Sequence, residues 1–171
     1  IEGKQLPPKE FYRLLREGNV CHTFQVTAEQ AKPSVEASFK AGRDVVIVTF
    51  SSALSGTASS FTIAANELME KYPSRKAFIV DSLGGSLGEG MLLEYLVKKA
   101  DAGASIEEVY AYGDWLRHRI AYLFTVDDLD CLRRGGRISG AVAVVGKLLK
   151  IKPLLHANPK GLLMPIAKIV G

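Results

Sequence analysis

Residues 45–50, Val-Val-Ile-Val-Thr-Phe, are an unbroken run of apolar and β-branched side chains. A strand with one solvated face alternates apolar and polar residues; a run without alternation reads as a strand covered on both faces, hence a central one. Small hydroxyl residues follow at once, Ser51, Ser52, Ser55 and Thr57, with Gly56 among them. A helical pattern from about residue 59 to 72, stopped by Pro73, places these hydroxyls on a strand-to-helix turn. In an open α/β sheet such turns lie at the carboxyl ends of the strands, where ligands bind, and a helix start presents unpaired N–H groups to an anion. Ser51, Ser52, Ser55 and Thr57 are therefore expected to face a ligand.

The rest of the chain extends this pattern. A short helix over 6–15 has proline in its first turn and Gly18 just beyond its end. Thr27 with Gln30, and Ser105 with Glu108, have the spacing of capping boxes and open helices over 28–41 and 106–119. Residues 77–81 form a second apolar strand, and the helix before it makes a βαβ unit with a parallel sheet. A glycine-rich loop, 84–90, leads into a helix reaching about residue 102, and residues 121–126 read as a third strand of this alternating half. Beyond it come a helical turn over 129–134, a small-residue apolar helix over 139–149, and two strands over 153–157 and 162–167. Asn158-Pro159-Lys160-Gly161 makes the last two a β-hairpin. The expected fold class is α/β, with a parallel-sheet first domain over 1–125 and the start of a second α/β domain over 126–171. An opening helix without a preceding strand, and a stop at Gly171 inside an element, read as part of a longer protein.

With 171 residues there is enough chain to bury a substantial core, and 22 basic against 18 acidic side chains leave a net charge of +4, scattered except at Arg133, Arg134 and Arg137. Nucleic-acid recognition needs a basic face rather than a small excess. Cys21 and Cys131 are far apart and outside any metal or disulfide spacing, so they read as reduced thiols. No segment has the apolar length of a membrane span, and the first residues are not a signal peptide. The sequence reads as that of a soluble, cytoplasmic protein.

Three features carry possible chemistry. Gly84-Gly85-Ser86-Leu87-Gly88 matches G-x-S-x-G between a strand and a helix, and Asp127, Asp128 or Asp130 followed by His156 supplies the chain order of a serine hydrolase. Against this, Asp81-Ser82-Leu83 separate the strand from the motif, and His156 belongs to the hairpin; the glycines more simply let the loop approach other backbone. His22 and His118 lack partners at metal spacing, and neither a P-loop nor a G-x-G-x-x-G motif is present. In Arg133-Arg134-Gly135-Gly136-Arg137-Ile138-Ser139, the glycines free the backbone for close approach, and Arg137 can hold a carboxylate or phosphate through two hydrogen bonds; Arg133 and Arg134 read as solvated helix-end residues. Hydroxyls beside an apolar strand end, with no base, nucleophile partner or metal, describe a binding site for an anionic head and an apolar body.

Ser51-Ser52-Ala53-Leu54-Ser55-Gly56-Thr57, Val80-Asp81-Ser82, Leu132 to Ser139 and Gly146 to Pro153 occur in the order found in the DegV family, which the chain resembles over nearly its whole length. The resemblance implies a non-catalytic protein of two α/β domains with a long-chain fatty acid between them, serving a bacterial fatty acid kinase as its acyl carrier subunit. It also implies that the carboxylate is held by the threonine of a T-S-Q-P-S motif, which falls on Thr23, and by the serine of L-S-G-T, which falls on Ser55. Arg137 falls on the arginine of G-G-R-I. Phe24 stands where the family has serine, and Val26 where it has proline. The expected ligand-binding residues are thus Thr23, Ser55, Arg137, Ser52 and Gly56, with no cofactor and no metal. The implied partners are a fatty acid, a fatty acid kinase subunit and, transiently, a membrane surface.

Overall fold

The computed structural model describes residues 6–126, 129–138 and 151–170. Their elements are α1 (Pro8–Arg16), α2 (Ala28–Lys40), β1 (Val45–Thr49), α3 (Thr57–Lys71), β2 (Ala77–Asp81), α4 (Ser86–Asp101), α5 (Ile106–Leu116) with a 3₁₀ turn (Arg117–Arg119), β3 (Leu123–Thr125), α6 (Asp130–Arg134), β4 (Ile151–Ala157) and β5 (Leu163–Val170). The helix expected over 139–149 lies outside the described residues, as do Asp127 and Asp128.

β1 and β2 pair in parallel from Val45 opposite Ala77 to Thr49 opposite Asp81, with α3 as the crossover. The unalternating apolar run of β1 has its explanation in the two layers beside it. Val45 and Ile47 pack with Val35, Phe39 and Leu68 of α2 and α3, whereas Val46 and Val48 pack with Leu92, Leu96 and Val109 of α4 and α5. Burying one such aliphatic side chain contributes roughly 1.5–3 kcal/mol, so both faces stabilise the strand between its two helix layers. Among the described residues β1 has β2 alone beside it, and residues 45–48 are half-buried, so the strand is covered on both faces but open along one edge. Both capping boxes form: Thr27 Oγ1 accepts from the Gln30 N–H, Ser105 Oγ accepts from the Glu108 N–H, and each N3 side chain takes the cap's own N–H in return.

Residues 121–126 do not extend the parallel sheet. Leu123–Thr125 pairs antiparallel with β4, Leu123 opposite His156 and Thr125 opposite Leu154, in a sheet ordered β3-β4-β5. A strand in the parallel layer would have to bury both faces, yet Leu123 is 61% exposed, while Phe124 and Val126 on the other side join the Leu129, Ile138 and Leu155 cluster. The expected division between residues 125 and 126 runs between β3 and its partner strand. In the hairpin turn Asn158 Oδ1 accepts from the N–H groups of Lys160 and Leu162, and Gly161 adopts φ +76°. No helix among the described residues is long and apolar enough to cross a membrane.

Glu36 clips α2 to the end of α3. Its carboxylate accepts from Lys71 Nζ at 2.7 Å, the Tyr72 hydroxyl at 2.9 Å and Lys40 Nζ at 3.1 Å, and these three donors hold its pKa at about 2, below the ordinary 4.5. A depressed carboxyl stabilises the fold fully above its unfolded value and loses that contribution as pH falls through its folded one. Glu36→Gln is therefore expected to lower the melting temperature modestly at neutral pH, and thermal melts of both proteins should converge between pH 4.5 and about 2. A difference that persists undiminished at the acid end contradicts this account of the clip.

Candidate ligand site at the strand ends

The turn after β1 separates hydroxyls that hold the fold from hydroxyls that remain available. Ser51 is fully buried: its N–H donates to Gly84 O at 2.8 Å and its Oγ donates to Gly161 O at 2.9 Å. It joins the turn to the glycine loop and to the hairpin tip, which corrects the expectation that it faces a ligand. Ser52 is exposed, and its N–H donates to Asp81 Oδ1, which also accepts from the Leu83 N–H, so one carboxylate ties both strand-end turns together. Ser55 and Thr57 are half-buried with hydroxyl oxygens 2.9 Å apart, and Ser55 Oγ accepts from the Thr57 N–H at the first residue of α3. Two hydroxyls carry two protons, and their mutual hydrogen bond uses one. The other has no acceptor among the described residues and can donate to an anion at a helix start, where the backbone dipole favours negative charge.

Gly56 lies between them. A Cβ there would stand 2.0 Å from Gln25 Oε1, so the absence of a side chain lets the Gln25 amide lie against the turn. Gln25 belongs to the irregular segment between α1 and α2 that also carries Thr23, and Thr23 is exposed two residues away, without a hydrogen bond to Ser55 or Thr57 among the described residues. The contact between Gln25 and Gly56 was not legible in the sequence, where Gln25 is one polar residue among several.

Arg137 reaches this turn from the far end of the chain. After α6, Gly136 at φ +73° reverses the backbone, and the Arg137 N–H closes onto Leu132 O. The guanidinium then donates through Nε to Leu54 O at 3.0 Å and through Nη1 to Gly135 O, beside Ser55. Of its five N–H donors, three have no partner among the described residues. Arg133 and Arg134 are exposed, as their solvated reading requires.

Leu54 has a second neighbour. Its side chain borders a cavity of ≈ 530 Å³ between the glycine loop, β3 and α6, with Phe50, Met91, Tyr122, Phe124 and Leu132 among its walls. The glycine loop does approach other backbone, through the Gly84 carbonyl, and it also accommodates two aromatic rings. Ser86 is exposed at φ +55° as the first residue of α4, and His156 stands in β4 opposite Leu123; no hydrogen bond joins the two among the described residues. Nor do the described residues contain a group of three or more His, Cys, Asp or Glu able to hold a metal ion.

Known proteins share this fold. The model of an uncharacterised-protein family, DegV, matches residues 1–171. A DegV domain-containing protein of Clostridium perfringens is 43% identical over 167 residues, 98% of this chain and 57% of that protein, so the chain spans little more than half of the relative's length. Among solved structures, a DegV family protein from Eubacterium eligens loaded with heptadecanoic acid superposes with a TM-score of 0.85 at 25% identity, over 98% of this chain and 60% of that one. A fatty-acid-binding DegV family protein from Thermus thermophilus gives 0.82 at 33% identity, over 96% and 57%. The Streptococcus pneumoniae fatty acid kinase (Fak) B3 protein loaded with linoleic acid gives 0.76 at 28% identity, over 86% and 51%. With the family model covering every residue and the α/β fold shared, the chain belongs to the DegV family.

Proposed function

We propose that the protein is a non-catalytic carrier of a long-chain fatty acid, held between the unit built on the parallel sheet and the unit built on the antiparallel one. The observation that carries this reading is that an apolar cavity and a polar turn meet at one residue: Leu54 borders the cavity, its carbonyl accepts from Arg137, and Ser55 follows it. A molecule with a carboxylate at one end and a hydrocarbon at the other satisfies both. The spare proton of the Ser55–Thr57 pair, the remaining N–H groups of Arg137 and the start of α3 receive the carboxylate, with Thr23 and Ser52 beside it and Gly56 leaving room. The tail occupies the cavity, and each buried CH₂ contributes about 0.8 kcal/mol, so the tail supplies most of the affinity and the head sets the orientation.

The similarity to fatty-acid-loaded proteins and to a fatty acid kinase B protein supports the further step that the bound acid is presented to a kinase subunit, whose own groups catalyse phosphoryl transfer. A fatty acid partitions into membranes, so such a carrier collects it by transient contact with a membrane surface while acting in the cytoplasm. Mass spectrometry of the purified protein should find a co-purified fatty acid, and Ser55→Ala should weaken binding of a fluorescent fatty acid about five- to tenfold, the worth of one hydrogen bond of about 1 kcal/mol or slightly more. Unchanged affinity in both Ser55→Ala and Thr23→Ala would place the head group elsewhere. The competing reading, a serine hydrolase, has the positive φ of Ser86 in its favour; it wins if no lipid co-purifies and ester turnover disappears in Ser86→Ala.

A further inference from the structure

Gly84 and Gly85 of the loop before α4, and Gly88 in the first turn of α4, each lie under an aromatic ring. A Cβ on Gly84 would come within 2.2 Å of the Tyr122 ring and one on Gly88 within 2.3 Å, while a Cβ on Gly85 would come within 2.1 Å of the Phe50 ring. None of the three needs glycine for a left-handed backbone, since their φ values lie outside that region, so the requirement is space alone. The Tyr122 ring is also pinned at its far end, where its hydroxyl donates to Ser82 O at 2.8 Å, and Ser82 is fully buried with its own Oγ donating to Gly84 O at 3.1 Å. Burial pushes the Tyr122 hydroxyl above its ordinary pKa, which keeps the proton needed for that bond. Both rings, and all three glycines, border the ≈ 530 Å³ cavity.

We infer that Tyr122 and Phe50, seated against the bare backbone of Gly84, Gly85 and Gly88, are specificity-determining residues that set the cross-section of acyl chain the cavity accepts. The inference rests on the carrier reading and adds to it the shape of the ligand. Seating the rings against glycine backbone keeps them out of the cavity; a methyl group at position 84 or 88 has nowhere to go except by driving the Tyr122 ring toward the space the chain occupies. Close-packed walls of this kind do not yield to a misfitting methylene, so width is selected sharply. A straight saturated chain and a cis-kinked chain of equal carbon number bury similar hydrocarbon but need different widths.

The test measures the ratio of stearate to oleate affinity in the wild type and in Tyr122→Ala, Gly84→Ala, Gly88→Ala and Tyr122→Phe. Tyr122→Ala is expected to shift the ratio toward oleate by at least about fourfold, the equivalent of one methylene at about 0.8 kcal/mol, and Gly84→Ala and Gly88→Ala to shift it toward stearate by a similar factor. Tyr122→Phe keeps the ring and should leave the ratio within about twofold of wild type. Because both acids are compared on the same variant, a loss of folded protein lowers both affinities and leaves the ratio intact. A wild type that binds neither acid overturns the carrier reading and this inference with it. A wild type that binds, with ratios unmoved in Tyr122→Ala and in both glycine variants, overturns the inference alone.

Discussion

Gly161→Ala is expected to destabilise the fold by about 3 kcal/mol, through two separable effects. Gly161 adopts φ +76° in the hairpin turn, a conformation that costs a residue with a Cβ roughly 1–2 kcal/mol. The new Cβ would also stand 2.2 Å from Ser51 Oγ and 3.3 Å from Leu83 Cα. Relieving that clash displaces the buried Ser51 hydroxyl from the Gly161 carbonyl, and an unsatisfied buried polar group costs about 1–3 kcal/mol. At about 2–4 °C per kcal/mol for a chain of this size, the melting temperature should fall by roughly 6–12 °C. A double-mutant cycle with Ser51→Ala separates the effects: with the hydroxyl already gone, only the backbone cost remains, and the two substitutions should be coupled by about 1–2 kcal/mol. Strict additivity would mean that the hairpin tip is not held through this bond.

That bond also shows where sequence reasoning stops. The apolar run of β1 announced a strand covered on both faces because each alternate residue meets its own helix layer, and the capping boxes announced two helix starts because their partners lie three residues away. Local spacing carries such information. A serine hydroxyl has the same chemistry whether it faces a ligand or a carbonyl 110 residues along the chain, so nothing in the turn itself distinguishes Ser51 from Ser55. Equally, the three residues of β3 carry no mark of which sheet they join; Phe124 is drawn to the Leu155 cluster by contacts made far later in the chain. The glycine loop was legible as a close approach, but which rings approach it was not, because Phe50 and Tyr122 come from elsewhere in the chain, just after β1 and just before β3. Arg137 was singled out for its two adjacent glycines, and the chain after them brings its guanidinium to the carbonyl of Leu54, the residue before Ser55.

Arg137→Ala should have the largest effect on ligand binding. Its Nε–H holds the Leu54 carbonyl, which fixes the guanidinium at the residue before Ser55, and three of its N–H groups have no partner among the described residues. Hydrogen bonds to a charged partner contribute about 1.5–3 kcal/mol, so losing them should weaken fatty-acid binding roughly ten- to 150-fold. Arg137→Lys keeps the charge on a single ammonium that cannot hold Leu54 O and a carboxylate in the same fork geometry, and its loss should be intermediate. Two controls separate this electrostatic role from simple packing. The methyl ester of the same acid carries no charge and should bind wild type and Arg137→Ala alike, whereas the advantage of wild type for the free acid should shrink as ionic strength rises. Equal losses for acid and ester would assign Arg137 to holding the Leu54 turn in shape, and would leave the carboxylate to Ser55, Thr57 and the start of α3.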